Sequence, residues 1–150
     1  MLSVRRFSKE DISEVHKLET LCFSEPWSEN SLEILLDGDN FGIVCLTDGQ
    51  VAAYGGMTCV LDEGAVTNIA VAPEYRRQGI GRAVVRAMLA EAESKGISSV
   101  FLEVRVSNEA AISLYRSEGF LECGIRKGFY KRPVEDAIQM VYNFKNVDKG

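Results

Sequence analysis

Ile69-Ala70-Val71-Ala72-Pro73-Glu74-Tyr75-Arg76-Arg77-Gln78-Gly79-Ile80-Gly81-Arg82 is the stretch that decides the fold. Ile69–Val71 is a short apolar run suited to a buried strand, and it is closed by Pro73, which has no amide to offer a sheet ladder. From Arg82 to Lys95, Ala83, Val84, Ala87, Met88, Ala90 and Ala92 approximate one helical face. The loop between strand and helix therefore empties into a helix N-terminus, where backbone N–H groups lack intrahelical partners and the helix dipole favours an anion. Gly79 and Gly81 keep side chains out of that approach, and Arg76, Arg77 and Arg82 add cations suited to phosphate oxygens. The spacing predicts a diphosphate-binding turn; a solvated basic turn capping a helix is the plainer alternative.

Other phosphate loops lack their required residues here. There is no Gly-x-x-x-x-Gly-Lys-Ser/Thr string, and a Gly-x-Gly-x-x-Gly fingerprint starting at Gly79 fails at Val84.

Outward from this turn, the elements alternate without repeats or an obvious linker. Ser3–Phe7 reads as a strand, and Ser8-Lys9-Glu10-Asp11 opens a helix reaching about Cys22. Glu25-Pro26-Trp27 interrupts, and Ser28 caps a shorter helix ending near Asp37-Gly38. Phe41–Leu46 and Val51–Leu61 are strands joined by the hairpin signal Asp48-Gly49, and Glu63–Val71 leads into the loop. Ser98–Val106 is expected as a strand, Asn108–Glu118 as a helix, and Phe120–Ile125 and Ala137–Asn143 as the last strands. This order predicts one α/β (α+β) domain over residues 1–150, a mixed sheet with helices on both faces.

Composition fits that frame. A chain of 150 residues, 46% hydrophobic and 26% charged, buries one sizeable core. The uncharged run Val51–Leu61 is far below the roughly 20 residues that span a bilayer. Residues 1–10 lack the apolar core of a secretion signal, so a cytoplasmic location without membrane attachment is expected. A net charge of −5 argues against general nucleic-acid binding and suits a basic partner. Cys22, Cys45, Cys59 and Cys123 are irregularly spaced, fitting buried free thiols better than a zinc cluster or disulfide scaffold; no metal is expected.

A second constellation runs from Leu102-Glu103-Val104-Arg105-Val106-Ser107-Asn108 through Ala110-Ala111-Ile112-Ser113-Leu114-Tyr115. Asn108 is a good N-cap at a strand-to-helix junction. On their own, Tyr115 is a core aromatic with its hydroxyl near the surface, and Glu103 is an outward residue on a half-buried strand.

Together the strings resemble a known family. Arg76-x-x-Gly79-x-Gly81 matches the Arg/Gln-x-x-Gly-x-Gly/Ala signature of the GNAT superfamily of acetyl-CoA-dependent N-acetyltransferases. Glu25-Pro26-Trp27-Ser28-Glu29, Asn68-Ile69-Ala70-Val71, the Leu102–Tyr115 segment and Glu135-Asp136-Ala137-Ile138-x-Met140 resemble its RimI-type branch, which acetylates the N-terminal alanine of a small-subunit ribosomal protein. The resemblance covers nearly the whole chain and implies the GNAT acyltransferase fold, with a mostly antiparallel central sheet.

It also implies roles. Acetyl transfer to an amine needs the amine neutral, a place for the oxyanion and a proton for the departing thiolate. A peptide α-amine titrates near pKa 8, so a base helps. The resemblance assigns that work to Glu103, acting through a water, and assigns Tyr115 the general acid for the coenzyme A sulfur. Ile69, Ala70, Val71, Arg76, Arg77, Gln78, Gly79, Ile80, Gly81, Arg82 and Asn108 are expected to line acetyl-CoA, with backbone amides near Val71 on the thioester carbonyl. Transfer is expected to be direct, in a ternary complex. The sole histidine, His16, is expected to have a structural or surface role rather than a catalytic one.

The Glu25–Trp27 loop and the Gly128-Phe129-Tyr130 segment, placed in a connection before the last strand, are candidate walls for the peptide, with Trp27 and Tyr130 as contacts. Trp27 can equally staple the following helix to the core. Phe129-Tyr130 departs from the paired tyrosines often seen in N-terminal acetyltransferases, which puts a two-hydroxyl clamp in doubt. A monomer is the default state. Acetylation of a small amine or antibiotic is the rival within the family, and a non-catalytic coenzyme A sensor the rival outside it; the sensor has no need of Glu103 and Tyr115 together.

Overall fold

The computed structural model describes residues 2–144. The elements are β1 (Leu2–Arg6), α1 (Ile12–Cys22), α2 (Glu29–Leu32), β2 (Phe41–Thr47), β3 (Gln50–Val60), β4 (Glu63–Val71), α3 (Ile80–Ser94), β5 (Ser99–Arg105), α4 (Glu109–Ser117), β6 (Leu121–Lys131) and β7 (Val134–Asn143). Short 3-10 turns at Lys9–Asp11, Glu33–Leu36 and Pro73–Tyr75 flank α1, α2 and β4. The strands form one seven-stranded sheet in the order β1-β2-β3-β4-β5-β7-β6. Every neighbouring pair is antiparallel except β4 and β5.

Helices cover both faces. Ile80, Val84, Val85, Met88 and Ala92 of α3 and Ile112 and Tyr115 of α4 pack on one face with Phe41, Ile43, Val100 and Leu102. Val15 and Leu18 of α1 and Leu32 and Leu35 after it pack on the other with Val44, Tyr54 and Ala70. β2 is consequently buried on both sides, which explains its unbroken apolar run. The β2–β3 turn keeps Asp48 and Gly49 at φ 52° and 82°, the left-handed pair a tight hairpin needs.

The sequence expectations are corrected at three places. α3 begins at Ile80, and its inward face uses Val85, while Ala90 is exposed. β6 runs on to Lys131 and β7 begins at Val134, so Gly128-Phe129-Tyr130 lies in a strand rather than a connection. The Gly and Lys residues that suggest a loop occupy an irregularity in the β6–β7 register between Arg126 and Tyr130, where Gly128 N–H donates to Asp136 Oδ1 at 2.8 Å. Third, of the four free thiols only Cys45 is fully buried; Cys123 is exposed because β6 is an edge strand. Among the described residues no helix is long and apolar enough to cross a membrane.

Candidate active site

The site arises where the sheet fails to stay closed. Gly55 of β3 faces Ile69 while Met57 faces Val66, so β4 carries one extra residue opposite Gly56, at Thr67-Asn68. β4 and β5 pair in parallel only from Glu63–Ala65 against Ser99–Phe101. β4 stays with β3 up to Val71, and β5 with β7 up to Arg105, so the two halves of the sheet part beyond that point. The gap is a cavity of about 840 Å³, walled by Val66–Ile69 on one side and Leu102–Arg105 on the other. Trp27, Asn108, Tyr115 and Tyr130 also line it.

At the end of β4 the chain turns through Arg77 at φ 64° and Gly79 at φ 79° into the 15-residue helix α3. The first hydrogen bond across the junction is Ala83 N–H to the Gly79 carbonyl, 3.1 Å, leaving the preceding amides of the turn without helical acceptors. A Cβ built on Gly79 meets nothing within 4 Å, so the approach is open. The sequence reading placed three guanidinium groups here; the structure ties two of them to protein groups. Arg76 Nε donates to the Val71 carbonyl at 3.0 Å, and its Nη2 lies 3.5 Å from Cys22 Sγ. Arg82 donates to Ser117 Oγ at 2.9 Å and to Glu118, which Arg86 also holds. Gln78 Nε2 donates to the Glu74 carbonyl at 3.3 Å. Among the described residues the Arg77 side chain forms no hydrogen bond or ion pair.

Glu103 faces the gap from β5, its side chain 21% exposed, with Arg126 Nη1 at 3.3 Å and Gln139 Nε2 at 3.4 Å from Oε2. Tyr115 arrives from α4, whose start is capped by Asn108 Oδ1 accepting from Ala111 N–H at 3.2 Å. Its ring meets Phe120 edge-on at 5.8 Å. Burial, and secondarily the nearby Tyr130, push the Tyr115 phenol well above the ordinary tyrosine range, so it holds its proton.

Tyr130 lies under the Arg105 guanidinium, 4.3 Å from ring centroid to Cζ. Burial, then Glu103, raise the Tyr130 phenol. Arg105 also donates to the Pro133 carbonyl at 3.0 Å, the Arg132 carbonyl at 3.2 Å and Glu135 at 3.0 Å, clamping the β6–β7 turn onto β5. Phe129, in contrast, is 40% exposed and sits under Arg126 at 4.9 Å. Across the gap, Trp27 N–H donates to Glu19 Oε1 at 2.8 Å, and its carbonyl accepts from His16 Nδ1 at 3.0 Å. His16 thus holds the loop from outside the cleft. Ser24 Oγ donates to the Arg132 carbonyl at 2.5 Å, joining the two walls at the rim.

Reading by sequence brought Glu103, Tyr115, Asn108, Trp27 and Tyr130 forward, and all five line one cavity. It passed over Glu19, Tyr54, Arg105, Arg126 and Gln139. A signal for Glu19 existed: Ile12, Val15, Glu19 and Cys22 share one side of α1, so a carboxylate sits on an apolar face.

Residues 12–120 match the model of the acetyltransferase (GNAT) family. The chain is 38% identical over 140 residues to a putative [ribosomal protein bS18]-alanine N-acetyltransferase of Bacillus subtilis (strain 168), covering 92% of this chain and 93% of that one. It is 37% identical over 142 residues to the [ribosomal protein bS18]-alanine N-acetyltransferase of Escherichia coli (strain K12), covering 93% and 96%. The crystal structure of the ribosomal-protein-S18-alanine N-acetyltransferase from Escherichia coli superposes with a TM-score of 0.92 at 34% identity, covering 100% of this chain and 98% of that one. With a splayed mixed sheet, a glycine turn opening α3 and these relatives over nearly its full length, the chain belongs to the GNAT family of acetyltransferases.

Proposed function

We propose that this enzyme is an acetyl-CoA-dependent acetyltransferase of N-terminal α-amines, acting on the terminal alanine of ribosomal protein bS18 as its relatives' names state, and hence in the cytoplasm. The observation that carries the chemistry is the convergence of Glu103 and Tyr115, from β5 and α4, on a single cavity, with Gly81 in the first turn of α3 set against Leu114 of α4 and Val71 at the end of β4.

Acetyl-CoA supplies the acyl group as a thioester. The residues present fit it: the turn at Arg77–Arg82 offers backbone amides, an open glycine and one unengaged guanidinium to a diphosphate, and Ile69–Val71 lies on the side of β4 that β5 has left. Arg76 and Arg82 shape the turn through their protein partners. Asn108 caps α4 and borders the cavity.

Glu103 takes the proton from the incoming ammonium, through a water in the cavity. Tyr115 holds a proton throughout the neutral range and gives it to the leaving sulfur, whose thiolate has a pKa of about 8.5. Trp27 and Tyr130, on opposite walls, confine the peptide end. The transfer is direct, with both substrates in the cleft together.

The test is mass spectrometry of synthetic peptides copying the mature bS18 N-terminus after incubation with acetyl-CoA and the enzyme. Acetyl on the α-amine is the expected product. Acetyl only on lysine, or turnover confined to a polyamine or aminoglycoside control, overturns the reading.

A further inference from the structure

Glu19 is fully buried, yet no cation pairs with it among the described residues. Its contacts are all donated by neutral groups. Trp27 N–H reaches Oε1 at 2.8 Å, the Asn68 amide reaches Oε1 and Oε2 at 3.2 and 3.0 Å, and the Tyr54 hydroxyl reaches Oε2. These contacts fill the acceptor sites of a carboxylate. Burial, then the Glu19 charge, push the Tyr54 phenol far above the ordinary range, so Tyr54 remains a donor.

Burying a lone carboxylate is costly compared with an apolar side chain of the same size, and a core built only for stability has no need of it. What distinguishes the partners is where they lie. Trp27 is on the loop between α1 and α2, and Asn68 is at the bulge of β4; both line the cleft. Glu19, on α1, hydrogen-bonds to both, and among the described residues no other side chain does. The bulge leaves Asn68 free of regular sheet pairing, and the loop is irregular, so neither is held by its own secondary structure.

We infer that Glu19 is a positioning residue for the acceptor: its carboxylate fastens the Trp27 loop to the β4 bulge and so sets the width of the peptide-binding side of the cleft, acting through Trp27 and Asn68 without touching substrate. This rests on the cleft being the acceptor groove proposed above, but the tether itself can be read without any acceptor. Trp27 is the only tryptophan in the chain, so its emission reports this loop alone.

The experiment compares wild-type enzyme with Glu19→Gln, Asn68→Ala and Tyr54→Phe, measuring KM for the bS18 peptide, KM for acetyl-CoA, and Trp27 emission with acrylamide quenching. Gln cannot accept at both positions. Glu19→Gln is expected to raise peptide KM about tenfold while kcat and acetyl-CoA KM stay within about twofold. Its Trp27 emission is expected to shift to the red and quench more readily. Asn68→Ala, cutting only the bulge contact, moves peptide KM the same way, and it decides the matter if Glu19→Gln does not fold. Tyr54→Phe keeps both cleft contacts and should leave peptide KM within about twofold of wild type. Unchanged peptide KM in Glu19→Gln, or equal rises in both KM values across all three variants, overturns the inference. If the wild type itself acetylates no peptide, the acceptor reading has failed, and unaltered Trp27 emission in Glu19→Gln then overturns the tether separately.

Discussion

Arg126 Nη1 lies 3.3 Å from Glu103 Oε2, and Gln139 Nε2 shares the same oxygen at 3.4 Å. Both contacts are long and fall on one oxygen; among the described residues Oε1 accepts no hydrogen bond and joins no ion pair. Arg126 is half-exposed on the edge strand β6, which lets the pair be broken without opening the core.

Replacing Glu103 with Gln keeps these neighbours and removes the carboxylate proposed as the base. Peptide acetylation is expected to fall by a factor of about 10² or more, with acetyl-CoA affinity by calorimetry nearly unchanged. The loss should deepen as pH falls below about 8, where more of the amine is protonated. Steady-state rates across pH 6–9 check this, and an undiminished rate withdraws the base assignment.

Tyr115→Phe should slow turnover by a factor of about 10² to 10⁴. Since burial raises the phenol, the proton is lost only as pH climbs past the ordinary tyrosine value of about 10, and the wild-type rate should show no alkaline fall attributable to Tyr115 below that point. A fall centred near pH 8 that vanishes in Tyr115→Phe would place a different ionisation on this residue.

Arg105→Lys keeps the charge and loses the fork that reaches Arg132, Pro133 and Glu135 while covering Tyr130. The expected cost is about 1–2 kcal/mol of stability, read from the urea midpoint, with a higher peptide KM because Tyr130 loses its cover. A midpoint and KM equal to wild type would show that the turn is held by other groups.

Glu118 joins Arg82 and Arg86 of α3 to the end of α4, and the hydrogen bond from Arg86 leads the effects that hold its carboxyl below the ordinary glutamate range. A depressed folded-state pKa stabilises the native form above the unfolded value of about 4.3, and the gain is lost as pH falls through the lower folded value. Glu118→Gln should therefore cost about 1 kcal/mol at pH 7 and progressively less under acid, read as urea midpoints from pH 7 to 3. A constant difference at all pH values would locate its effect in packing.

Gly79→Ala forces a Cβ onto a φ of 79°, which costs about 1–2 kcal/mol for a residue with a side chain. There is room for the methyl, so the strain is conformational, and the expected result is a lower melting temperature together with weaker acetyl-CoA binding. Wild-type values for both, by calorimetry, would show that the turn tolerates the change.

Much of this was legible along the chain because it depends on local chemistry. Strand-to-helix punctuation at Pro73 and Gly79, the Asp48-Gly49 hairpin, the N-caps at Ser28 and Asn108, and the order of the elements are all written within a few residues of where they act. Gly128–Tyr130 reads as a connection because Gly and Lys signal a loop locally, while pairing with β7 extends the strand.

By itself the sequence determined the elements, the glycine turn that opens α3 and the residue types able to move protons, since periodicity, turn residues and side-chain chemistry are properties of neighbouring residues. Only the tertiary structure decided that β4 and β5 part after Ala65 and Phe101, that Glu103 and Tyr115 open onto the same cavity, and that Arg76 and Arg82 are engaged by Val71 and Glu118 while Glu19 gathers Trp27 and Asn68. Those contacts join residues up to 49 positions apart, and a bulge that shifts one register by a single residue determines which of them meet.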